Sequence, residues 1–261
     1  MSGANDLLYE ARDGIAYITV NRPAARNALT FAMYERLAGL CAEIDTDRAI
    51  KALVVTGAGD KAFAAGTDIS EFRAFTSVQD AIDYEARIER VLDALERLRV
   101  PTIAAIAGAC TGGGAGIALA CDLRIAAPNA RIGFPIARTL GNCLSLANYA
   151  RLSALIGPGR VKDIIFRARL VEAQEALAIG LVTELTIDFA GLQPRAESIA
   201  DQVAAHAPLT LRATKEALRR LRPRPDASEE RDLILMCYTS RDFREGMDAF
   251  LNKRTPEWRG E

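Results

Sequence analysis

Histidine is almost absent from this chain of 261 residues, in which His206 is the only one. A single imidazole excludes zinc sites built from several histidines, and no cysteine spacing supports a cysteine-only site, so we expect no metal. Cys143 is a candidate nucleophile, but His206 ends a C-terminal helical pattern, where a contact with the helix end is the simpler interpretation. No Gly-Lys-Ser or Gly-Lys-Thr follows any glycine run, which excludes a P-loop.

A disulfide pattern, long apolar runs and a large net charge are also missing. The five cysteines include no CxxC pair and stand mostly in apolar runs, which indicates reduced, buried thiols. No window approaches the ~20 apolar residues that span a bilayer, and the first residues show no basic and apolar leader pattern. The formal net charge of −1 gives no argument for nucleic acid or an acidic membrane surface. We therefore expect a cytoplasmic protein with a small-molecule ligand and no nucleic-acid or membrane partner.

Apolar strand-like runs alternate with helix-like segments from residue 7 to about 190, which predicts an α/β fold. The predicted strands are Ile15–Val20, Ala52–Thr56, Thr102–Ala107, Leu123–Ala126 and Leu181–Leu185. Thr30 is a candidate cap of a helix that runs to about Asp45, and Ser77 caps a longer one with an apolar stripe. After about residue 193 the strands stop, and three helical patterns cover roughly 193–206, 208–221 and 228–251.

Two glycine-rich turns each connect a strand-like run to a helix-like one. The first is Gly66-Thr67-Asp68, and the second is the run Gly112–Gly116. Glycine lets backbone approach a ligand closely, and the first amides of a helix have no partner inside the helix. Amides from two such turns can converge on one oxygen as an oxyanion hole, and those near Thr67 and Gly113 are plausible donors. The alternative is a pair of tight turns that bind nothing.

The loop that leads to the first turn also contains a relaxed dinucleotide pattern, formed by Gly57, Gly59 and Ala62 after a strand. A Rossmann unit needs a long helix that begins at these glycines, whereas a second glycine turn follows within ten residues. The dinucleotide interpretation is therefore rejected.

Five separated segments, in this order and spacing, resemble the crotonase superfamily, also called the enoyl-CoA hydratase/isomerase family. They are NRPAARNALT, KAFAAGTDI, AGACTGGGAGIALACDLRIA, RIGFP and EGMDAFLNKRTPEW. The resemblance covers nearly the whole chain. It implies a spiral of ββα turns over residues 1–192 and a helical region over 193–261 that makes trimers, commonly paired into hexamers. It also implies that coenzyme A enters as part of an acyl-CoA substrate, and that the amides of Thr67 and Gly113 hold the thioester carbonyl.

The same resemblance assigns further binding positions. Those near the phosphates, adenine and pantetheine of coenzyme A are Ala25, Arg26, Ala65, Asp68 and Ile69. Phe250 and Lys253 match positions on the last helix that reach the coenzyme A of a neighbouring subunit. For this pair the alternative is a surface helix with one buried aromatic side chain.

Both glutamates that family hydratases use are missing from the matching positions, which are Gly116 and Ile136. Between Arg97 and Lys162 the only acidic residue is Asp122, and we interpret it as bonding backbone amides beside a turn. Hydration by the paired-glutamate route needs a base for water and an acid for carbon. That route is therefore not encoded at these positions.

Other polar side chains follow the second empty position. They are Arg138, Thr139, Asn142, Cys143 and Ser145. Arg138 is a candidate for holding a second carboxylate of a malonyl-type substrate by a bidentate pair, or else it pairs with a distant acid or faces solvent. Tyr84 and Glu85 are candidates for an acid or base over the acyl pocket, although their spacing also suits a solvated helix face.

We therefore expect an acyl-CoA-processing enzyme that stabilises a thioester enolate. Decarboxylation is the variant most compatible with the loss of both glutamates, because it needs an enolate stabiliser but no strong base to start. The alternatives are a non-catalytic acyl-CoA-binding protein, or hydration with a base supplied by a mobile loop or a neighbouring subunit.

Overall fold

The computed structural model describes residues 5–75, 77–223 and 227–261, and ten strands lie within these ranges. They are β1 (Leu7–Arg12), β2 (Ile15–Val20), β3 (Ala52–Gly57), β4 (Ala62–Ala64), β5 (Thr102–Ile106), β6 (Ala109–Thr111), β7 (Leu123–Ala126), β8 (Arg131–Gly133), β9 (Val171–Glu172) and β10 (Glu184–Leu185). The larger sheet has the order β1-β2-β3-β5-β7-β10, and the smaller one the order β4-β6-β8-β9. Most neighbouring strands pair in parallel, with β1·β2 and β8·β9 antiparallel. The predicted α/β class is confirmed.

Helices connect the strands and form the C-terminal part of the chain. They are α1 (Phe31–Thr46), α2 (Val78–Arg97), α3 (Gly113–Ala120), α4 (Ile136–Thr139), α5 (Leu146–Ile156), α6 (Pro158–Phe166), α7 (Ala173–Ala178), α8 (Leu192–Ala204), α9 (Pro208–Leu221), α10 (Arg231–Tyr238) and α11 (Arg241–Leu251). Short 3-10 helices occupy Pro23–Ala25, Ile69–Ala74 and Ala227–Glu230. Within the described ranges, every helix is too short or too polar to cross a membrane.

The larger sheet is covered on both faces, which explains why β3 and β5 are almost continuously apolar. Along β3, Leu53 and Val55 point into the main core, while Ala52 and Val54 point to the opposite face. That opposite face is covered by α8 through Leu192, Ala196, Ile199 and Ala200. Each large aliphatic side chain buried in this way contributes roughly 2 kcal/mol.

The smaller sheet places the two glycine turns side by side. Its strands β4 and β6 are parallel neighbours, with Ala62 opposite Ala109 and Ala64 opposite Cys110. Because the carboxyl ends of parallel strands lie at the same edge, the turn after β4 and the turn after β6 meet there. The two turns are therefore adjacent, and the convergence of the Thr67 and Gly113 amides on one oxygen stays a prediction.

The predicted caps are confirmed. Thr30 accepts a hydrogen bond from the amide of Met33 at 3.3 Å, and Ser77 forms a capping box at the start of α2. Such caps contribute about 1 kcal/mol each.

Two predicted elements differ from the structure. The predicted strand Leu181–Leu185 is reduced to β10, because the amides of Leu181 and Val182 bond the carbonyl of Ala176 and close the end of α7. The predicted helix 228–251 is divided after Tyr238, because the Ser240 side chain accepts a hydrogen bond from the Phe243 amide at 2.9 Å and starts α11.

The division into residues 1–192 and 193–261 stays a prediction. Its boundary coincides with the start of α8, whose apolar side packs on the larger sheet. Residues 1–4, 76 and 224–226, which belong to these two proposed regions, lie outside the described part of the chain.

Candidate active site

A cavity of about 510 Å³ opens where the two glycine turns meet. Its walls come from the turns after β4 and β6, from one side of α2, from the start of α3, and from the segment around α4. A mostly apolar cavity of this size with a few polar groups is the usual form of a small-molecule site. We therefore treat this cavity as the candidate active site.

The backbone around Thr67 leaves one amide free to bind a ligand. The Leu29 amide donates to the Gly66 carbonyl and the Asp68 amide donates to the Leu29 carbonyl, each at 2.8 Å. These two bonds flank Thr67 and leave its own N–H outside the pairing. Among the described residues, the Thr67 amide forms no hydrogen bond.

The second free amide belongs to Gly113, the first residue of α3. Gly112 precedes it with a φ of 52°, in the region that favours glycine. The Gly113 N–H likewise has no acceptor within the described ranges. A Cβ placed on Gly66 would lie 3.9 Å from the Gly113 nitrogen, so the two turns are in close contact.

Three hydroxyl groups stand beside these amides. Thr67 Oγ1 lies 3.0 Å from the Tyr34 hydroxyl and 2.8 Å from the Tyr84 hydroxyl. Burial raises the pKa of both tyrosines, so both stay protonated at neutral pH. A Cβ on Gly113 would fall 1.9 Å from the Tyr34 hydroxyl, so only glycine fits at that position. Tyr34 could not be identified from the sequence, because an aromatic residue on α1 resembles an ordinary core side chain.

Tyr84 and Glu85 both line the cavity from α2, and the interpretation of this pair as a solvated helix face is wrong. Their exposed fractions are only 9% and 6%. The Glu85 carboxyl accepts a hydrogen bond from the Tyr238 hydroxyl, which in turn accepts from Asn142 Nδ2 at 3.1 Å. Burial raises the pKa of Glu85 to about 7, and the nearby acids Glu230 and Glu89 act in the same direction. No local sequence signal points to Tyr238, which is 153 positions away in the chain.

Most of the positions assigned to coenzyme A lie around the cavity. Those that line it are Ala25, Arg26, Ala65, Asp68, Ile69 and Phe250. Asp68 also pairs with Arg22 at 3.0 Å and caps the following 3-10 helix, while Phe250 is half exposed. Lys253 does not line the cavity and has a positive φ of 54° after α11. All of these binding roles stay predictions.

The two positions without glutamate form part of the cavity wall. Gly116 faces Leu92, because a Cβ there would lie 3.2 Å from Leu92 Cδ1, and Ile136 is buried at the start of α4. Arg138 lies on the same short helix but is exposed and does not line the cavity, so its role stays a prediction. Cys143 lines the cavity, whereas His206 is exposed just beyond α8.

Asp122 has a local structural role, as the sequence indicated, although its partners belong to the neighbouring strand. Its carboxylate accepts hydrogen bonds from the Thr102 amide at 2.8 Å and from the Thr102 hydroxyl at 2.9 Å. It also pairs with Lys215 at 2.6 Å. These bonds hold the carboxylate between β5 and α9, and it does not line the cavity.

Known proteins match the chain along almost its whole length. Residues 10–261 match the family described as enoyl-CoA hydratase/isomerase. The chain is 35% identical over 256 residues to the short-chain-enoyl-CoA hydratase of Clostridium acetobutylicum, with 97% of each chain covered. It is 34% identical over 252 residues to the crotonyl-CoA hydratase of Syntrophomonas wolfei, with 95% of this chain and 96% of that one covered.

Solved structures agree with the sequence relatives. An enoyl-CoA hydratase/carnithine racemase from Magnetospirillum magneticum superimposes with a TM-score of 0.80 at 32% identity, covering 99% of this chain and 97% of that one. A methylmalonyl-CoA decarboxylase in complex with 2-nitronate-propionyl-CoA superimposes with a TM-score of 0.87 at 26% identity, covering 98% of each chain. Sequence match and fold together show that this chain belongs to the enoyl-CoA hydratase/isomerase family.

Proposed function

We propose that this protein is an acyl-CoA-processing enzyme that holds a thioester enolate between the amides of Thr67 and Gly113. The main support for this proposal is that the two amides lie in adjacent turns and, among the described residues, donate to no acceptor. An oxyanion held by two preorganised donors in a cavity shielded from water is stabilised far more than in water. The relatives named as hydratases of enoyl-CoA and crotonyl-CoA support a thioester substrate.

Coenzyme A binding is proposed at the rim of the same cavity. Arg26 is exposed there and carries a charge that suits phosphate, and the backbone of Ala65, Asp68 and Ile69 lines the adjoining wall. Phe250 and Lys253 are proposed to serve a neighbouring subunit. No separate cofactor is part of the proposal.

We propose a homotrimer or a dimer of trimers. The supporting observation is that Leu218 and Leu221, neighbours on one side of α9, are 64% and 80% exposed. Exposed apolar side chains on one helix are typical of a surface that another chain covers. A reducing cytoplasmic location is consistent with five free cysteines, four of them buried.

Decarboxylation of a malonyl-type thioester is the second candidate reaction. The Cα–carboxylate bond breaks, CO₂ leaves, and the electron pair becomes the enolate that the two amides hold, so no base is needed for the first step. Two observations favour it: Gly116 and Ile136 place no carboxyl group on the cavity wall, and the fold superimposes closely on a methylmalonyl-CoA decarboxylase. Hydration and simple thioester binding are the competing outcomes.

Turnover of three thioesters by the purified protein separates these outcomes. Crotonyl-CoA reports hydration, methylmalonyl-CoA reports decarboxylation, and butyryl-CoA reports binding alone. We expect turnover of at least one of the first two. Tight binding of all three without turnover would instead identify a non-catalytic acyl-CoA-binding protein.

The oxyanion site is tested with Gly113→Ala. The added methyl group meets the Tyr34 hydroxyl, and the shift it forces displaces one amide, so we expect a loss of about 10²–10³ in kcat. Gly39→Ala is the matched control, because a Cβ at Gly39 on α1 would contact nothing within 4 Å. Equal activity of the Gly113→Ala and Gly39→Ala variants would contradict the proposal.

Arg138 is tested by calorimetry with methylmalonyl-CoA and propionyl-CoA. If its guanidinium holds the second carboxylate, Arg138→Ala weakens only the binding of methylmalonyl-CoA, by roughly tenfold. Equal affinities for the two thioesters, or no loss in the variant, would remove Arg138 from the site.

A further inference from the structure

Glu85 is a buried carboxyl group that forms no ion pair with any cation in the described part of the chain. Its only hydrogen-bond partner among the described side chains is the Tyr238 hydroxyl, and none of the described Lys or Arg side chains forms an ion pair with it. A buried carboxylate without a cation is costly, and it is retained where the carboxyl group has a use. Glu85 projects from α2 into the same cavity as the two free amides.

The described groups that interact electrostatically with Glu85 are neutral or acidic. They are Tyr34 on α1, Tyr84 and Glu89 on α2, Cys143 and Tyr149 around the start of α5, Glu230 before α10, and Tyr238 on α10. Arginines that share the second cavity of Glu85, such as Arg151 and Arg231, form no ion pair with it. Because burial is not offset by an ion pair among the described residues, the carboxyl group holds its proton near neutral pH and can also release it. Such a group suits both halves of a proton transfer.

Asn142 provides a second, independent sign of a ligand beside Glu85. Its Nδ2 donates to the Tyr238 hydroxyl, while its Oδ1 is buried and has no hydrogen-bond partner among the described residues. Asn142 lines the cavity, so this buried acceptor without a partner lies beside the space that a ligand would occupy. The bond from Asn142 also orients the Tyr238 hydroxyl so that it donates to Glu85.

Solvent can reach Glu85 from another side. A second cavity of about 690 Å³ lies along α2 and is also lined by Glu85, together with Glu89, Arg151 and Glu230. A proton taken from the acyl cavity can therefore exchange with water through a space that the thioester does not fill.

We propose that Glu85 is the acid and base of this enzyme and exchanges a proton with the α carbon of the bound thioester, with Tyr238 as its positioning residue. The inference rests on the proposed function, because it requires a thioester enolate at Thr67 and Gly113. It replaces the two missing glutamates by one carboxyl group from a different element. Glu85 thus approaches the substrate from α2 rather than from α3 or α4.

The proton step balances in both directions. When the Glu85 carboxylate removes the proton, the Cα–H bond breaks and an O–H bond forms on Glu85. The electron pair forms the enolate double bond, and the thioester C=O pair moves onto the oxygen between the amides. After decarboxylation only the return step is needed: the Glu85 O–H bond breaks and the proton joins Cα.

Deuterium exchange at Cα of butyryl-CoA in D₂O tests this role directly, since it needs a base and an enolate but no leaving group. We expect the wild-type protein to exchange, and the isosteric Glu85→Gln variant to lose the exchange by about 10²-fold or more. Calorimetric affinity for butyryl-CoA is expected to stay within about threefold, because the amide keeps the size of the carboxyl group. Asp83→Asn is the control, since Asp83 is exposed on the same helix and bonds only Gln79 among the described side chains.

The pH profile separates a chemical role from a structural one. Wild-type exchange should rise with pH to a plateau with a midpoint near 7, the pKa to which burial raises Glu85. Tyr238→Phe should move this midpoint, whereas Asp83→Asn should not.

Each outcome is decisive. Exchange by Glu85→Gln at the wild-type rate, or binding without any exchange by the wild-type protein, overturns the role of Glu85. If Glu85→Gln then still turns over methylmalonyl-CoA or crotonyl-CoA at the wild-type rate, the proposed function stands without it. Failure of the wild-type protein to bind any thioester overturns the proposed function itself, and the role of Glu85 with it.

Discussion

Helix α2 carries two buried glutamates about three turns apart, and their surroundings are opposite. Glu96 accepts hydrogen bonds from Arg222 Nη2 at 2.7 Å and from Arg151 Nε at 3.2 Å, which together with Coulomb attraction outweigh the effect of its burial and lower its pKa. Glu85 accepts a hydrogen bond from a tyrosine hydroxyl and forms no ion pair with a described cation, so burial raises its pKa to about 7. Burial alone therefore does not decide whether a carboxyl group is structural or reactive; the partner decides it.

The position of the two glutamates along α2 agrees with this division of roles. Glu96 lies at the end of α2 where Arg151 on α5 and Arg222 after α9 converge, and Arg151 also bonds Glu89 at 2.7 Å. This network ties three elements together. Glu85 lies where α2 borders the candidate active site, and a permanent ion pair there would fix its charge and remove it from proton transfer.

The largest effect is expected from Glu96→Gln. Removing the charge leaves the buried Arg151 and the partly buried Arg222 incompletely paired, which should lower the free energy of unfolding by about 3 kcal/mol. Urea denaturation at pH 7 measures the loss. Asp93→Asn, which breaks only a partly exposed pair with Arg97, should cost less than about 1 kcal/mol. If the Glu96→Gln protein is as stable as the Asp93→Asn protein, the ion pairs of Glu96 do not have the structural role that distinguishes it from Glu85.

The second effect concerns pH, because the stability contributions of Glu85 and Glu96 change with pH in opposite directions. The ordinary pKa of a glutamate is 4.5 and burial raises that of Glu85 to about 7, so the stability it contributes is fully present below pH 4.5 and is lost as pH rises through 7. Glu85→Gln removes this loss. Relative to the wild-type protein, the variant should gain about 3 kcal/mol between pH 4.5 and pH 8.

Urea denaturation of both proteins across this range gives the difference. A constant difference between variant and wild type would mean that Glu85 titrates normally in the fold. For Glu96, whose pKa is lowered, the sign is reversed: its stability is present above its unfolded pKa and is lost as pH falls through the folded pKa.

The third effect comes from Tyr238→Phe. The hydroxyl of Tyr238 lowers the pKa of Glu85 against the stronger effect of burial, so its removal should raise that pKa and move the midpoint of deuterium exchange to higher pH. The lost hydrogen bond should cost about 1 kcal/mol of stability. An unchanged midpoint with an intact fold would show that Tyr238 does not position Glu85.

The smallest effect is expected from Tyr84→Phe. Tyr84 precedes Glu85, but its hydroxyl bonds Thr67 Oγ1 and not the Glu85 carboxyl. The exchange midpoint should therefore stay in place, while stability falls by about 1 kcal/mol. A clear shift of the midpoint would mean that the two tyrosines act on Glu85 together, and the contrast between them would need revision.

The sequence predicted the elements that depend on local signals. Strands β2 and β7 have the predicted bounds, α1 and α2 begin at the predicted caps, and the meeting of the two glycine turns follows from parallel strands. The division of the last helix was missed, because a serine inside an apolar periodicity does not show by itself whether it caps a new helix.

Partners distant in the chain could not be predicted. Glu85 and Glu96 are both charged residues on an amphipathic helix, and the pattern of α2 treats them alike. Their difference comes from Tyr238, which is 153 positions from Glu85, and from Arg222, which is 126 positions from Glu96. Such pairings depend on how α10 and the end of α9 pack on α2, and periodicity carries no information about that packing.

The contact between Gly113 and Tyr34 has a consequence for how this site can change over evolution. The Tyr34 hydroxyl occupies the space that any side chain at position 113 would need, and the same hydroxyl bonds Thr67 on the facing turn. A substitution on one turn is therefore transmitted to the other through a single phenol. Residues on the two turns must therefore change together during evolution, because a single replacement on either turn disturbs both.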